Sequence, residues 1–227
     1  MSTEHHLTVR KTARYYVDGS LDAKTRDVWI VCHGYGQLAA DFLKDLEPLA
    51  KPGRAIVAPE GLSRFYFESG KHGPESKVGA SWMTREDRLS EIEDYVAYLD
   101  ALGDAVFASL ARSAAKLTVL GFSQGTATAS RWVARGSVRP DRLILWGGLL
   151  PADVDLGAAQ AALARLELLL VVGARDRFAD EEQLGAQLAA LGRIGVTPRV
   201  VRHPGGHRLD AQVLADLADG ATREAAG

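Results

Sequence analysis

Short apolar runs alternate with stretches of helical periodicity along most of this 227-residue chain. The runs are DVWIVCHG (27–34), RAIVAPEG (54–61), KLTVLGF (116–122), DRLILWGG (141–148), LELLLVVGARD (166–176) and PRVVRHPGG (198–206). Runs of this kind, closed by glycine or proline, are typical of strands that are buried on both faces. Helices between successive strands favour parallel pairing, so the order predicts an α/β fold with a mostly parallel central sheet and helices on both of its faces.

The length suits one domain, because an α/β domain of this size is ordinary. We expect a single domain over residues 1–227, with frayed ends at 1–6 and 220–227. Residues 7–19 alternate loosely, like one or two exposed antiparallel strands, and residues 61–83 form a long irregular connection. No insertion between the predicted strands is long enough for a separate cap domain.

The charge and cysteine content exclude several classes of function. The 27 basic residues are balanced by 29 acidic ones, and a net charge of −2 gives no attraction to nucleic acid or to an anionic membrane. No apolar run approaches the ~20 residues of a membrane helix, and the first residues, MSTEHHLTVR, contain no apolar signal segment. The only cysteine, Cys32, lies within an apolar run and is predicted to be a buried thiol rather than a nucleophile. These features predict a soluble cytoplasmic protein.

The segment GFSQG, residues 121–125, directly follows a predicted strand and opens a predicted helix. A residue at such a corner adopts a strained backbone, and its neighbours two places away come so close to adjacent elements that glycine is favoured. A serine held there stands clear of the sheet, above a helix N-terminus that stabilises developing negative charge. The alternative is a glycine-rich turn whose serine only caps a helix. The pentapeptide therefore nominates Ser123 as a nucleophile, subject to its context.

A carboxylate at the end of a parallel strand can orient a histidine, because ligands and reacting groups gather beyond the carboxyl ends of such strands. Asp176 follows the run LELLLVVGAR and is the predicted acid. Asp153 and Asp155, after the strand at 141–148, compete for that role, whereas Asp180 has the position of a helix cap.

The predicted base is His207, which lies beyond the last strand on a loop made flexible by Gly205 and Gly206. From there an imidazole can take the proton of Ser123 and return it to a leaving group. His203 is the competitor, but it falls within or at the end of the predicted strand.

The segment His33-Gly34-Tyr35-Gly36 ends an early strand, where acyl-transfer enzymes place part of their oxyanion hole. We predict that the main-chain N–H groups of Tyr35 and Gln124 hold the oxyanion. His33 is interpreted as a structural residue that hydrogen-bonds the loop.

Three strand ends thus carry a nucleophile, an acid and a base in the order Ser123, Asp176, His207, which is the order of the α/β-hydrolase architecture. On the motifs HGYG, APEG, GFSQG, GARD and GGH, the chain over about 27–219 resembles the phospholipase/carboxylesterase family of α/β-hydrolases, which includes acyl-protein thioesterases. The resemblance implies the same fold and a Ser-His-Asp triad formed by these residues. It also implies an oxyanion hole formed by Tyr35 and Gln124.

The chain departs from the family pattern at Gln37, where that family usually has an acidic residue after its His-Gly-x-Gly. The long connection also differs, and its aromatic residues are candidates for a substrate pocket, with simple packing as the alternative. The predicted pocket residues are Phe65, Tyr66, Phe67, Trp82 and Met83.

Other chemistries have weaker support in the sequence. The six histidines show no paired metal-ligand spacing, and no phosphate-binding or dinucleotide motif occurs, so we expect neither metal nor cofactor. We predict a serine hydrolase that cleaves carboxylic esters, or thioesters or lysophospholipids, through an acyl-enzyme on Ser123, with a small-molecule substrate as its partner. The alternative is a non-catalytic binding or regulatory protein on a hydrolase scaffold.

Overall fold

The central sheet has seven strands in the computed structural model, which describes residues 1–68, 70, 73–108, 110, 112–178 and 180–220. The strand order is β1-β3-β2-β6-β7-β8-β9, and all neighbours pair in parallel except β1, which pairs antiparallel with β3. The sheet strands are β1 (Tyr15–Asp18), β2 (Asp27–Cys32), β3 (Arg54–Pro59), β6 (Lys116–Phe122), β7 (Arg142–Trp146), β8 (Glu167–Gly173) and β9 (Arg199–His203). This mostly parallel sheet is the one that the sequence predicts.

Helices cover both faces of the sheet, as predicted. They are α1 (Ala39–Lys44), α2 (Arg88–Phe107), α3 (Gln124–Arg135), α4 (Leu156–Leu163), α5 (Glu181–Arg193) and α6 (Ala211–Ala218). Helices α2 to α5 pack into one apolar cluster, and α1 and α6 pack into the other. Within the described part of the chain, no helix is long and apolar enough to cross a membrane.

Alternation along the strands divides the buried side chains between the two clusters. In β2, Val28 and Ile30 belong to the cluster beneath α2 to α5, whereas Trp29 and Val31 belong to the cluster beneath α1 and α6. Successive strand side chains point to opposite faces, so a run that is apolar throughout can be buried on both sides. The apolar contacts on both faces stabilise the sheet, and the three predicted triad residues lie just beyond the carboxyl ends of its strands.

One segment differs from the sequence prediction. The connection at 61–83 is not wholly irregular, because β4 (Ser63–Tyr66) and β5 (Val78–Ser81) pair antiparallel as a small separate sheet. In the segment 7–19, where one or two exposed antiparallel strands are predicted, β1 (Tyr15–Asp18) is such a strand at the edge of the central sheet. Residues 221–227, where we expect fraying, lie outside the described residues.

Two buried arginines attach the last helix to the sheet. Arg54 of β3 donates a hydrogen bond of 2.9 Å to the carbonyl of Ala218, and Arg142 of β7 donates one of 2.7 Å to that of Leu217. The last carbonyls of a helix have no partner within the helix, and cationic donors satisfy them. The end of α6 is therefore held by strands from the first and second halves of the chain.

Candidate active site

Ser123 lies at a sharp turn between β6 and α3, in a backbone conformation that is rare for a residue with a side chain (φ 54°, ψ −117°). A Cβ placed on Gly121 would lie 2.2 Å from the carbonyl oxygen of Gly125, and one on Gly125 would lie 2.1 Å from that of Cys32. Both distances are far below van der Waals contact. The two glycines thus allow α3 to start directly against β2 and β6, which lifts the serine above the sheet.

Ser123, His207 and Asp176 are joined by a continuous chain of hydrogen bonds. The Oγ of Ser123 lies 2.8 Å from Nε2 of His207, and Nδ1 of His207 lies 2.8 Å from Oδ2 of Asp176. The other carboxylate oxygen, Oδ1, accepts the main-chain N–H of Phe178 at 2.9 Å. Because the carboxylate can only accept, Nδ1 carries the imidazole proton and Nε2 is left to accept from the serine hydroxyl.

The competing aspartates have structural roles in this fold. Asp153 lies 2.8 Å from the guanidinium of Arg131 and also pairs with Arg88 and Arg135. The hydrogen bond from Arg131 holds the pKa of the Asp153 carboxyl below its usual range. Asp155 caps the N-terminus of α4 through the N–H groups of residues 157 and 158.

The position predicted for Asp180 is also that of a cap. Its side chain accepts the N–H groups of Glu182 and Gln183 at the start of α5. His203, the competitor of His207 for the role of base, is buried at the end of β9. Among the described residues it makes no hydrogen bond to Ser123.

His33 fixes the shape of the loop that follows β2. Its Nε2 accepts the N–H of Gly61 at 2.9 Å, so Nδ1 carries the proton and donates to the carbonyl of Gly34 at 2.7 Å. Burial lowers the pKa of this imidazole. His33 is thus a neutral residue within the fold, as its position at a strand end suggested.

The main-chain N–H groups of Tyr35 and Gln124 donate no hydrogen bond within the described residues, whereas those on either side of Tyr35 are engaged. Gly34 donates to Oε1 of Gln37 at 2.8 Å, and Gly36 donates to the carbonyl of Ala80 at 2.8 Å. The amide oxygen of Gln37 therefore provides an acceptor at the position where the phospholipase/carboxylesterase family usually has a carboxylate. The loop holds its shape without that charge.

Residues 30–212 match the protein-family model described as Serine hydrolase (FSH1). The chain belongs to this family. The match covers both halves of the candidate site, from the loop after β2 to the turn that carries His207. The chain is accordingly an enzyme of the hydrolase class, as the sequence predicted, and the fold is that of the α/β-hydrolases.

Solved structures of esterases share this fold. A structure of esterase PE8 is 21% identical to the hydrolase, with a TM-score of 0.67 over 92% of this chain and 98% of that one. Acyl-protein thioesterase 2 of Zea mays is 19% identical, with a TM-score of 0.67 over 92% and 97%. A carboxylesterase of Mesorhizobium loti is 19% identical, with a TM-score of 0.67 over 92% of this chain and 95% of that one. The predicted resemblance to carboxylesterases and acyl-protein thioesterases is confirmed at the level of the fold. No curated protein sequence matches the hydrolase significantly.

The side chain of Gln124 has a role in the hydrolase that the sequence did not indicate. Its Oε1 accepts the main-chain N–H of Trp82 at 3.1 Å, and its Nε2 donates to the carbonyl of Met83 at 2.8 Å. These bonds attach the end of β5 to the start of α3. A polar residue directly after the predicted nucleophile was the available signal.

The predicted pocket residues separate into three aromatic residues of the segment 65–67, near the surface, and two residues, Trp82 and Met83, that pack against the core. Phe65 stacks on Tyr35 with ring centroids 5.2 Å apart, and Phe67 meets Phe65 edge-on at 5.3 Å. Phe67 is about half exposed (51%). These rings form a surface beside the Tyr35 loop. Tyr66 is also exposed (47%), but it follows Phe65 on a strand, so its side chain points away from that ring.

Trp82 does not fit the predicted pocket role. Its side chain is 1% exposed, its indole N–H donates to the carbonyl of His33 at 2.9 Å, and its ring meets that of Tyr95 edge-on. Met83 is partly buried against the same cluster, and Nη1 of Arg131 lies 3.4 Å from its sulfur. The indole is core because two other elements cover it, which the local sequence does not reveal.

Phe178 is a site residue that sequence reasoning missed. Its ring lies 4.7 Å from that of His207, yet 62% of the residue is exposed. Beside it, a small cavity of about 20 Å³ is lined by Gly147, Gly148, Leu149, Val172, Phe178, Asp180, Glu181 and Leu184. Its position two residues after the predicted acid could have indicated a role, since Asp176 binds its main-chain N–H.

Among the described residues, one group of three side chains has the spacing of a possible metal site. It consists of Glu4, His6 and Asp87, all exposed and none of them in the candidate active site. The expectation that the hydrolase uses no metal or cofactor remains a prediction.

Proposed function

We propose that this serine hydrolase cleaves carboxylic esters through an acyl-enzyme on Ser123, with His207 as base and Asp176 as acid. The observation that carries the proposal is the chain of two 2.8 Å hydrogen bonds from Ser123 through His207 to Asp176, which begins at a strained turn. Such an arrangement activates a hydroxyl that is otherwise a weak nucleophile.

In the first half-reaction Oγ of Ser123 forms a bond to the ester carbonyl carbon while its proton passes to Nε2 of His207. The carbonyl oxygen becomes an oxyanion, and the N–H groups of Tyr35 and Gln124 donate to it. The carbon–oxygen bond to the alcohol then breaks, and the alcohol leaves with the proton from Nε2. Asp176 stabilises the imidazolium through its bond to Nδ1.

In the second half-reaction water attacks the acyl-enzyme while Nε2 of His207 takes its proton. The bond between Oγ and the acyl carbon breaks, the acid departs, and the proton returns to Ser123. The same residues act in both halves, so no cofactor is required. Thioesters react by the same steps with a thiol as leaving group, and the solved thioesterase of this fold supports their inclusion.

The surroundings of Ser123 favour uncharged acyl or alcohol groups of short to medium length. The exposed ring of Phe67 lies beside Gly36 in the Tyr35 loop, and the exposed ring of Phe178 lies against His207. Exposed apolar rings at a site provide contact area for an apolar ligand. The cavity beside Phe178 is small, which favours short groups on that side of the site.

The net charge of −2 and the single buried cysteine support a cytoplasmic enzyme that acts on small molecules rather than on nucleic acid. The continuous seven-stranded sheet supports a single domain.

The mechanism is the part of the proposal that a direct assay tests. Hydrolysis of p-nitrophenyl esters from acetate to palmitate is measured for the wild type and for Ser123→Ala, with Ser130→Ala as control. Ser130 lies in α3 and its buried hydroxyl has no partner among the described residues, so its removal leaves the site intact.

We expect Ser123→Ala to lower kcat by at least about 10⁴-fold, whereas Ser130→Ala retains it. A fluorophosphonate probe should label the wild type once and the Ser123→Ala variant not at all. Equal activity of Ser123→Ala and wild type would place the nucleophile elsewhere. A folded wild type that neither hydrolyses the esters nor takes the label would instead favour a non-catalytic binding protein. Preference for palmitate over acetate and butyrate would contradict the proposed chain length.

A further inference from the structure

His203 occupies a buried position directly beneath the turn that carries His207. It is the last residue of β9 and is 3% exposed, with its ring centroid 5.5 Å from that of Trp146. In the parallel pairing of β8 with β9 it lies opposite Gly173. A titratable side chain is thus enclosed next to the candidate active site, and the proposed mechanism assigns it no part.

The hydrogen bonds of His203 define its protonation. The main-chain N–H of Gly205 donates to Nδ1 at 3.2 Å, so in the neutral ring the proton resides on Nε2. Nε2 is buried and has no partner among the described residues. Burial is the main cause that lowers the pKa of this imidazole. The neutral ring, whose unprotonated Nδ1 accepts from Gly205, is therefore the form that fits the fold.

The turn rests on this ring and on the end of β8. The N–H of Arg175 donates to the carbonyl of Gly205 at 2.9 Å, and a Cβ on Gly205 would lie 2.8 Å from Nδ1 of His203. A Cβ on Gly173 would lie 2.7 Å from the carbonyls of both Gly205 and Gly206. The turn is packed this closely two residues before His207, so a shift of the ring is transmitted to the base.

We propose that neutral His203 is a positioning residue, which holds the turn at 204–207 through Gly205 and so fixes the His207 imidazole between Ser123 and Asp176. This inference rests on the proposed function of His207 as base. A displacement of about 1 Å at a reacting group can cost about 100-fold in rate. His203 thereby contributes to kcat without contacting the substrate.

Protonation of His203 opposes this role. A proton added to Nδ1 would face the N–H of Gly205, placing two donors against each other. Asp176 and Asp210 favour the charged ring and Arg208 disfavours it, and burial outweighs the two carboxylates. The neighbouring Arg175, which binds the carbonyl of Pro204, adds a further positive charge on the turn. Acid should therefore loosen the turn at a pH below the ordinary histidine value of 6.5.

Two substitutions of His203 distinguish the effect of its hydrogen-bond acceptor from the effect of its aromatic ring. His203→Asn places an amide oxygen where Nδ1 accepts from Gly205, and it does not ionise in the assay range. His203→Phe retains an aromatic ring but lacks the acceptor. Val201→Ala, two residues earlier on β9 and on the same face, removes apolar contacts without touching the turn and controls for lost stability.

We expect His203→Phe to lower kcat by about 10- to 100-fold with KM changed less than about threefold, beyond any loss in Val201→Ala. His203→Asn should retain kcat near neutral pH and be more active than wild type, relative to its own maximum, in acid. The proton on Nδ1 of His207, bonded to Asp176, should give a far-downfield NMR signal in the wild type and His203→Asn and a shifted or absent signal in His203→Phe.

Wild-type kcat in His203→Phe, or a loss in His203→Asn as large as in His203→Phe, would overturn the assignment. An acid limb identical in His203→Asn and wild type would overturn it as well. If His203→Phe does not fold, the Asn profile and its NMR signal still decide. Loss of activity in Ser123→Ala together with any of these results would refute the positioning role alone, whereas retained activity in Ser123→Ala would refute the proposed function.

Discussion

Two aspartates follow neighbouring strands, and substitution of each by asparagine should affect a different property of the hydrolase. Asp176 accepts from His207 at 2.8 Å, whereas Asp153 lies among three arginines. Asparagine retains the size of the side chain and one acceptor oxygen. We expect Asp176→Asn to lose activity and keep its stability, and Asp153→Asn to lose stability and keep its activity.

The effect of Asp176→Asn follows from the tautomer of His207. The amide NH₂ facing Nδ1 would donate to it, which moves the imidazole proton to Nε2, so that Nε2 can no longer accept from Ser123. In a serine protease the equivalent change costs about 10⁴-fold in kcat, or about 5.4 kcal/mol at 1.36 kcal/mol per tenfold. We expect a loss of about 10³- to 10⁴-fold here. Since the remaining oxygen can still accept from Phe178, the free energy of unfolding should change by less than about 1 kcal/mol.

The effect of Asp153→Asn follows from the burial of its main partner. The side chain of Arg131 is 4% exposed, so its charge depends on the carboxylate beside it. Removing one partner of a fully buried pair costs about 3–5 kcal/mol. Asp153 itself is 24% exposed, so water screens part of the interaction and we expect about 2–3 kcal/mol. For a chain of this length that loss lowers Tm by about 4–12 °C.

Both variants are assayed for kcat on one p-nitrophenyl ester at a temperature well below their Tm, and for unfolding by urea and by heat. A loss of kcat by more than about tenfold in folded Asp153→Asn would refute the structural role of Asp153. Wild-type kcat in folded Asp176→Asn would show that His207 does not need this carboxylate. Either result would contradict the role that the geometry favours for that aspartate.

Three further predictions concern the packing around the site. Gly125→Ala should lower the free energy of unfolding by at least about 3 kcal/mol, because its Cβ would collide with the carbonyl of Cys32. Gly185→Ala is the control: its Cβ would lie in open space within α5, so the free energy of unfolding should rise by about 0.5–1 kcal/mol. Urea titrations measure both changes. Burial raises the pKa of the Cys32 thiol, so a thiol reagent should modify the chain only as fast as it unfolds; rapid native labelling would contradict this. Because burial lowers the pKa of His33, the unfolded chain binds more protons, and stability should fall as pH drops below about 6.5; a smaller pH slope is expected in His33→Asn.

The sequence predicted those features whose causes are local. The glycines around Ser123 are required by the turn itself, and the apolar runs are strands because both faces are covered. The strand ends also brought Asp176 and His207 to one edge, since parallel strands share their carboxyl edge. The order of residues along the chain was therefore enough to assemble these three side chains.

The features that escaped prediction depend on contacts between distant segments. Trp82 is core rather than pocket because His33 and Tyr95 cover its ring from two other elements. The side chain of Gln124 bonds the main chain of Trp82 and Met83, which directly follow β5 and lie 42 and 41 residues earlier, so these partners could not be inferred from the residues next to Gln124. Phe178 is exposed against His207 only because the loops after β8 and β9 meet.

The two arginines that bind the end of α6 bear on how the chain is made. Arg54 and Arg142 are almost completely buried, with side chains 2% and 8% exposed, and each depends in part on carbonyls of residues 217 and 218. During synthesis, strands β3 and β7 leave the ribosome long before those carbonyls exist. Until then, one donor of each guanidinium lacks its partner in α6, although Asp27 and Glu167 precede α6 and can already pair with the two arginines. A nascent chain that stops before α6 also exposes the apolar cluster that this helix covers, so it should remain accessible to chaperones and proteases until the last helix emerges.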